Sequence, residues 1–250
     1  MLRTLGIVQA CDGSPRFHGN LRRRLGGHSL LGWVVRRVTE SLRLDGVIVL
    51  AHGPPDDRTV AGLVPPDVPV FVSPEPDALG RFLRAIESYP ADAVVRVRGD
   101  TMFIDPGLID RLITTAASHP DCDYITYCSR DGQPAIFSPV GMFAEWFPTS
   151  VLRRVARANL RHGDRDHFTR HFFTHPETYN VRLIPAPVAL DRDDVRLTVD
   201  IEEDWDNALA IIEALGPERL EWQRIAALLD QQPALRRRMA DLNRAQALTP

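Results

Sequence analysis

The strongest constraint on the fold of this chain is an alternation that runs through its first half. Short apolar runs are each followed by a longer amphipathic stretch. Leu5–Ala10 reads as a strand. Ser29–Leu42 reads as a helix, with Leu30, Leu31, Val34, Val35 and Val38 spaced close to the helical period of about 3.6 residues. Gly46–Ala51 and Val68–Val72 are expected strands, Ala78–Ser88 a helix, and Ala93–Val97 a strand that runs into Gly99-Asp100. Pro106–Ser118 is expected to be a helix opening on proline, where a missing N–H costs little, and Tyr124–Cys128 follows as a strand. This rhythm predicts an α/β protein with a mostly parallel sheet flanked on both faces by helices. Sheets of that kind bind ligands beyond the carboxyl ends of their strands.

The second half is less regular. A Pro- and Gly-bearing strand region is expected over Ala135–Phe147, a helix over Ser150–Arg161, and a His-rich helical stretch over Asp166–His175. Asn180–Ile184 and Val195–Asp200 read as strands, and Glu202–Leu215 and Leu220–Leu229 as helices. No repeat or low-complexity linker interrupts the 250 residues, of which 44% are apolar. One domain over residues 1–230 is therefore expected, followed by a helical, polar extension over 231–250.

The bulk charge narrows the partners. A net charge of −3 argues against general nucleic-acid binding, which needs a broad basic surface. No apolar run reaches the roughly 18–20 residues of a membrane span, and the start lacks a signal-peptide pattern. Cys11, Cys122 and Cys128 show no paired spacing, which fits reduced thiols in a cytoplasmic protein. Every one of the 30 Lys+Arg residues is arginine. Schiff-base catalysis and lysine-dependent phosphate loops are excluded on that ground.

Three segments carry chemistry. The first runs from Gln9 through Gly13, Ser14 and Arg16 to Asn20, followed by Arg22, Arg23 and Arg24. A strand opening into a Gly/Ser loop lets backbone N–H groups approach phosphate oxygens, and arginine adds charge-assisted bonds. A surface loop followed by a solvated arginine cluster is the plainer reading of the same residues. The second segment is Arg96-Val-Arg-Gly-Asp100 and the third Leu197-Thr-Val-Asp200, each read as a strand ending in a carboxylate. Two carboxylates on neighbouring strand tips suit Mg²⁺, which takes oxygen ligands shared with phosphates. Each aspartate alone also suits a helix N-cap, Asp200 in particular.

These segments resemble the SpsF-type cytidylyltransferases of spore-coat polysaccharide synthesis, relatives of the CMP-KDO and CMP-acylneuraminate synthetases. The resemblance is carried by Val8-Gln-Ala10, Gly13-Ser14, Arg16, Gly19 and Arg23, by Asp77-Ala-Leu-Gly-Arg-Phe82, and by the run from Val95 to Asp110. Arg165-Asp-His-Phe-Thr169 and the run from Val195 to Trp205 complete it, so matches reach in order from Ile7 to about Leu229. The resemblance implies a nucleotide-diphospho-sugar transferase, glycosyltransferase-A-like fold. It implies that Gly13, Ser14, Arg16 and Arg23 hold the triphosphate, that Ala10 also belongs to the nucleotide site, that Leu79 and Arg81 lie beside base and ribose, and that Asp100 and Asp200 coordinate Mg²⁺. Arg16, Asp100 and Asp200 would be the catalytic set, and Glu145 and His167 would border the acceptor. The implied partners are CTP, a small acidic sugar-like acceptor and a second copy of the chain in a homodimer.

The sequence departs from the family pattern in the loop itself. Cys11 stands where the family has Arg, and Asn20 where it has its first Lys; both changes remove a cation. Arg22, Arg24 and Arg98, the last at a position that is Thr in the spore-coat group, are candidates to supply the missing charge, and Phe143 replaces an acceptor-side Asp. Two other readings stay open. One is a nucleotide-binding protein with impaired catalysis. The other is a nucleotide-sugar glycosyltransferase, whose usual Asp-x-Asp is absent at Arg98-Gly-Asp100. His167, His171 and His175 would share one face of a continuous helix. Zinc binding there is disfavoured, because a site made by one helix face is unusual. Arg236–Arg238 reads as a solvated helix face.

Overall fold

The computed structural model describes residues 2–10, 19–158 and 160–247. In chain order these form β1 (Thr4–Ala10), β2 (Arg24–Leu25), β3 (His28–Ser29), α1 (Leu30–Thr39), β4 (Gly46–His52), β5 (Val70–Ser73), α2 (Ala78–Ser88) and β6 (Ala93–Arg98). There follow α3 (Pro106–Ser118), β7 (Tyr124–Cys128), β8 (Glu145–Pro148), α4 (Thr149–Arg157), α5 (His162–Asp166), α6 (Arg170–Thr174) and β9 (Val181–Pro185). Helices α7 (Glu202–Leu215), α8 (Trp222–Gln231) and α9 (Pro233–Ala247) close the chain.

Seven strands form one sheet in the order β5-β4-β1-β6-β8-β7-β9. Its pairings are parallel except those of β8, which runs antiparallel to both β6 and β7. The alternation of strand side chains sorts residues into two layers. Val8, Ala10, Val49, Ala51, Val95 and Val97 join the core shared with α1, α3, α7, α8 and α9. Leu5, Ile7, Ile48, Leu50 and Val94 join the opposite core with α2, α4 and α6. Among the described residues no helix is long and apolar enough to cross a membrane.

The helices begin where the sequence provides an acceptor. Ser29 Oγ accepts the Gly32 N–H (2.8 Å), Asp77 Oδ1 the Gly80 N–H (2.7 Å) and Asp105 Oδ1 the Leu108 N–H (3.0 Å), which fixes the starts of α1, α2 and α3. Helix α1 stops at Thr39, short of the expected Leu42. Asp110 draws the following residues away, accepting the Ser41 hydroxyl (2.6 Å) and the Leu42 and Arg43 N–H groups (3.2 Å each).

Three expectations require correction. The strand region over Ala135–Phe147 contains a short 3₁₀ turn at Ala135–Phe137, and its only strand is β8 at its far end. The His-rich stretch is two short helices, α5 and α6, broken between His167 and Thr169, so the three histidines do not share one helical face. Val195–Asp200 is not a strand. It crosses the strand tips as a buried extended segment, pinned when Leu197 and Thr198 donate to the Pro139 carbonyl (2.8 and 3.1 Å).

Candidate active site

Two tight approaches create the site at the carboxyl end of the sheet. Gly99 N–H donates to the Gln9 carbonyl (3.0 Å), and a Cβ on Gly99 would stand 2.9 Å from that same oxygen. Glycine there lets β6 lie against β1 to its tip and delivers Asp100 just beyond it. Gly141, at φ 63°, passes against the backbone of Thr198, where a Cβ would meet Thr198 N at 2.7 Å. The crossing segment is thereby held close, and Val199 N–H donates to the Asp100 carbonyl (3.2 Å). Asp200 thus reaches Asp100 from a loop, not from a neighbouring strand.

Both aspartates line a cavity of about 690 Å³. Neither is spent as a helix cap. Asp105 begins α3, and ahead of α7 the Asp200 and Ile201 N–H groups go to Asp204 Oδ2 (2.9 and 3.2 Å). Between the two carboxylates sits the Arg98 guanidinium. Nε donates to Asp100 Oδ1 (3.1 Å), Nη2 donates to Asp100 Oδ2, and Nη2 also lies 3.8 Å from Asp200 Oδ1. Burial, and then the charge of Asp100, push the Asp200 carboxyl above its ordinary range. Burial pulls the Arg98 guanidinium down, but Asp100 and Asp200 outweigh it and hold it above its usual value.

The cavity floor is a polar network on the strand face that elsewhere carries Ile7 and Val94. Arg96 Nε donates to Gln9 Oε1 (2.9 Å), and its Nη1 bonds Glu145 Oε2 (2.5 Å) and Thr169 Oγ1 (3.2 Å). Glu145 is fully buried and also accepts the Tyr124 hydroxyl, whose ionisation burial and Glu145 together push far upward. Glu145 therefore meets the cavity through Arg96 rather than lining it. Arg81 lines the wall, its Nη1 donating to the Glu75 and Pro76 carbonyls (3.0 and 2.8 Å). His167, Arg170 and Phe137 form the mouth, with the Arg170 guanidinium 5.8 Å from the Phe137 ring centroid.

Not every expected residue is seen at the cavity. Gly13, Ser14 and Arg16, with Cys11, lie outside the described residues. Leu79 is fully buried in the core under α2, and its neighbour Ala78 lines the cavity instead. Arg23 is paired with Glu202 and lies over Trp205, 5.0 Å from the ring centroid, away from the cavity lining. Ala10 ends β1 as a core residue. Phe143 packs on Tyr127 and lines a second hollow. Gln9 and Arg96 lie inside the motifs but carried no assigned role there, although each is marked as a polar side chain interrupting an apolar alternate-residue pattern. Gln246, brought to the cavity by α9, carried no such mark.

The donor set fits a divalent cation that shares its shell with phosphate. Among the described residues no group of three or more His, Cys, Asp and Glu side chains assembles. Mg²⁺ needs only one or two carboxylates when phosphates and water supply the rest. Asn20, 1% exposed at the same cavity, donates from Nδ2 to the Val199 carbonyl (2.9 Å) and leaves Oδ1 buried with no hydrogen-bond partner among the described residues.

A mostly parallel α/β sheet with two carboxylates beside an arginine-rich cavity at its carboxyl end suits a nucleotidyltransferase, and the relatives of this chain are of that class. The model of the MobA-like NTP transferase domain matches residues 6–179, and the chain belongs to that family. It is 31% identical over 218 residues to the spore coat polysaccharide biosynthesis protein SpsF of Bacillus subtilis, covering 85% of this chain and 87% of that one. In structure it is similar to a cytidylyltransferase from Leptospira borgpetersenii (TM-score 0.79, 22% identity, covering 93% and 95% of the two chains). It is also similar to a CMP:2-keto-3-deoxy-manno-octonic acid synthetase complexed with CTP (TM-score 0.63, 12% identity, covering 85% and 99%). The nucleotide-diphospho-sugar transferase fold expected from the motifs is the fold observed.

Proposed function

We propose that this protein is a Mg²⁺-dependent cytidylyltransferase that transfers CMP from CTP to a sugar acid or similar acidic acceptor, releasing pyrophosphate. The observation that carries the reading is the convergence of Asp100 and Asp200, one hundred positions apart in sequence, on the Arg98 guanidinium in an arginine-lined cavity. Asp100 and Asp200 would hold the metal, and the bound ion would neutralise charge on the transferring phosphate. The choice of CTP rests on the relatives. The acidic acceptor is suggested by Arg96, Arg170 and His167, which bring positive and hydrogen-bonding groups to the same cavity as the aspartates.

In this reading an acceptor oxygen attacks the α-phosphorus of CTP, and the bond to the bridging oxygen of pyrophosphate breaks. Arg98 would offset charge along the phosphate chain, and Arg96, locked by Gln9 and Glu145, would orient the acceptor carboxylate. Rigid placement and charge compensation supply the rate, so no strong general base is required. The test is incubation of the purified protein with labelled CTP, Mg²⁺ and a panel of sugar acids. Pyrophosphate release dependent on one acceptor is the expected result. No release, together with no CTP binding in a calorimeter, would overturn the reading.

A further inference from the structure

We propose that Arg98 is a resident counter-ion of the Asp100–Asp200 pair, so that the metal binds weakly to the free protein and enters only with the nucleotide. This rests on the reading of the two aspartates as metal ligands. The guanidinium engages both oxygens of Asp100 and lies 3.8 Å from the nearer oxygen of Asp200. It therefore occupies the space between the carboxylates, and no Asp100 oxygen is clear of it. Two neighbouring carboxylates repel one another in a partly dehydrated cavity, and a bidentate guanidinium relieves that repulsion. A dication must displace this fork, or share the pair with it at an excess of positive charge.

A nucleotide removes the conflict. Its phosphate chain supplies a new anionic partner for the guanidinium and offsets the charge of the ion. Arg98 is placed to make that exchange, whereas Arg96 is not. Arg96 is 13% exposed and tied to Gln9, Glu145 and Thr169, while Arg98 is 35% exposed and its side-chain hydrogen bonds go to Asp100. Both project from the same face of β6 into the same cavity. One is a fixture and the other a gate. Metal and nucleotide affinities then become reciprocally coupled through a single side chain.

The test is Mn²⁺ binding to the whole protein without nucleotide, followed by the paramagnetic resonance signal of the free ion. Arg98→Gln should bind Mn²⁺ about tenfold tighter or more than the native chain, the scale of one charge-assisted contact. Arg98→Lys should fall between them, since it keeps the charge and loses the fork. With CTP present the native chain should reach the affinity of the Gln variant. Thermal melts establish that each variant is folded, and the exposure of Arg98 makes both substitutions tolerable. If native and Arg98→Gln chains bind Mn²⁺ equally well, and Asp100→Asn abolishes that binding, the counter-ion role is overturned while the metal site stands. If neither chain holds Mn²⁺ with or without CTP, the metal site itself is lost and the counter-ion role with it.

Discussion

Arg196 shows how much of the site is held by one buried ion pair. It is 1% exposed, and its guanidinium meets Asp204 through Nε–Oδ1 (2.6 Å) and Nη2–Oδ2 (2.8 Å). The same Asp204 accepts the Asp200 N–H, so the pair fixes the backbone that presents Asp200. Removing one partner strands a buried charge, and Asp204→Ala should cost about 3–5 kcal/mol in urea unfolding. Asp100→Asn or Asp200→Asn should behave differently. These side chains border the cavity, so the fold should persist while the CMP transfer proposed above falls on the order of 10²-fold or more, checked by pyrophosphate release. At this scale the sequence was informative about identity and less so about geometry. Asp100 and His167 stood out because they sit in dense motifs, and Arg98 because it departs from one. Leu79 and Arg23 stood in equally good motifs, yet one is core and the other lies over Trp205, because a motif position does not state which way a side chain turns.

Among the elements, the parallel half was legible because its alternation of apolar runs and capped helices is local. Ser29, Asp77 and Asp105 each announce the helix they begin. The antiparallel β8 and the crossing segment were not legible, since both depend on partners far along the chain. Val195–Asp200 has a strand's composition but pairs with the Pro139 and Asp100 carbonyls instead of a sheet edge. The start of α2 also carries a pH dependence. Burial raises the Asp77 carboxyl, but the Arg165 bond (2.8 Å) and the Gly80 N–H outweigh it, leaving Asp77 below its ordinary value. A depressed carboxyl contributes stability that is present above its unfolded value, near 3.8, and is lost as pH falls through the lower folded one. Asp77→Asn should therefore be less stable at neutral pH and show a flatter loss of stability on acidification below about pH 4, measured by urea titrations across that range.

At the scale of the whole molecule, the polar C-terminal stretch proves integral. Leu235 and Met239 of α9 lie in the same core as the sheet, and Arg236 binds Asp194 (Nε–Oδ2, 2.8 Å). Its Gln246 accepts from Arg196 and borders both the principal cavity and the second hollow. Leu235→Ala with Met239→Ala should lower stability by about 4 kcal/mol or more, within a single cooperative transition measured by circular dichroism. A separately melting extension would contradict that packing. The sequence showed a charged, arginine-rich tail, because its two anchoring apolar residues are too few to dominate its composition.

Asp100 and Asp200 are mounted on unlike supports. One closes a strand at the middle of the sheet; the other rides a strap stitched down at the Pro139 carbonyl and at Asp100. Breathing of that strap can part the carboxylates while the sheet stays intact. Deuterium should accordingly reach the amides of Leu197 and Thr198 long before those of Val95 and Val97, and bound nucleotide should slow the first pair far more than the second.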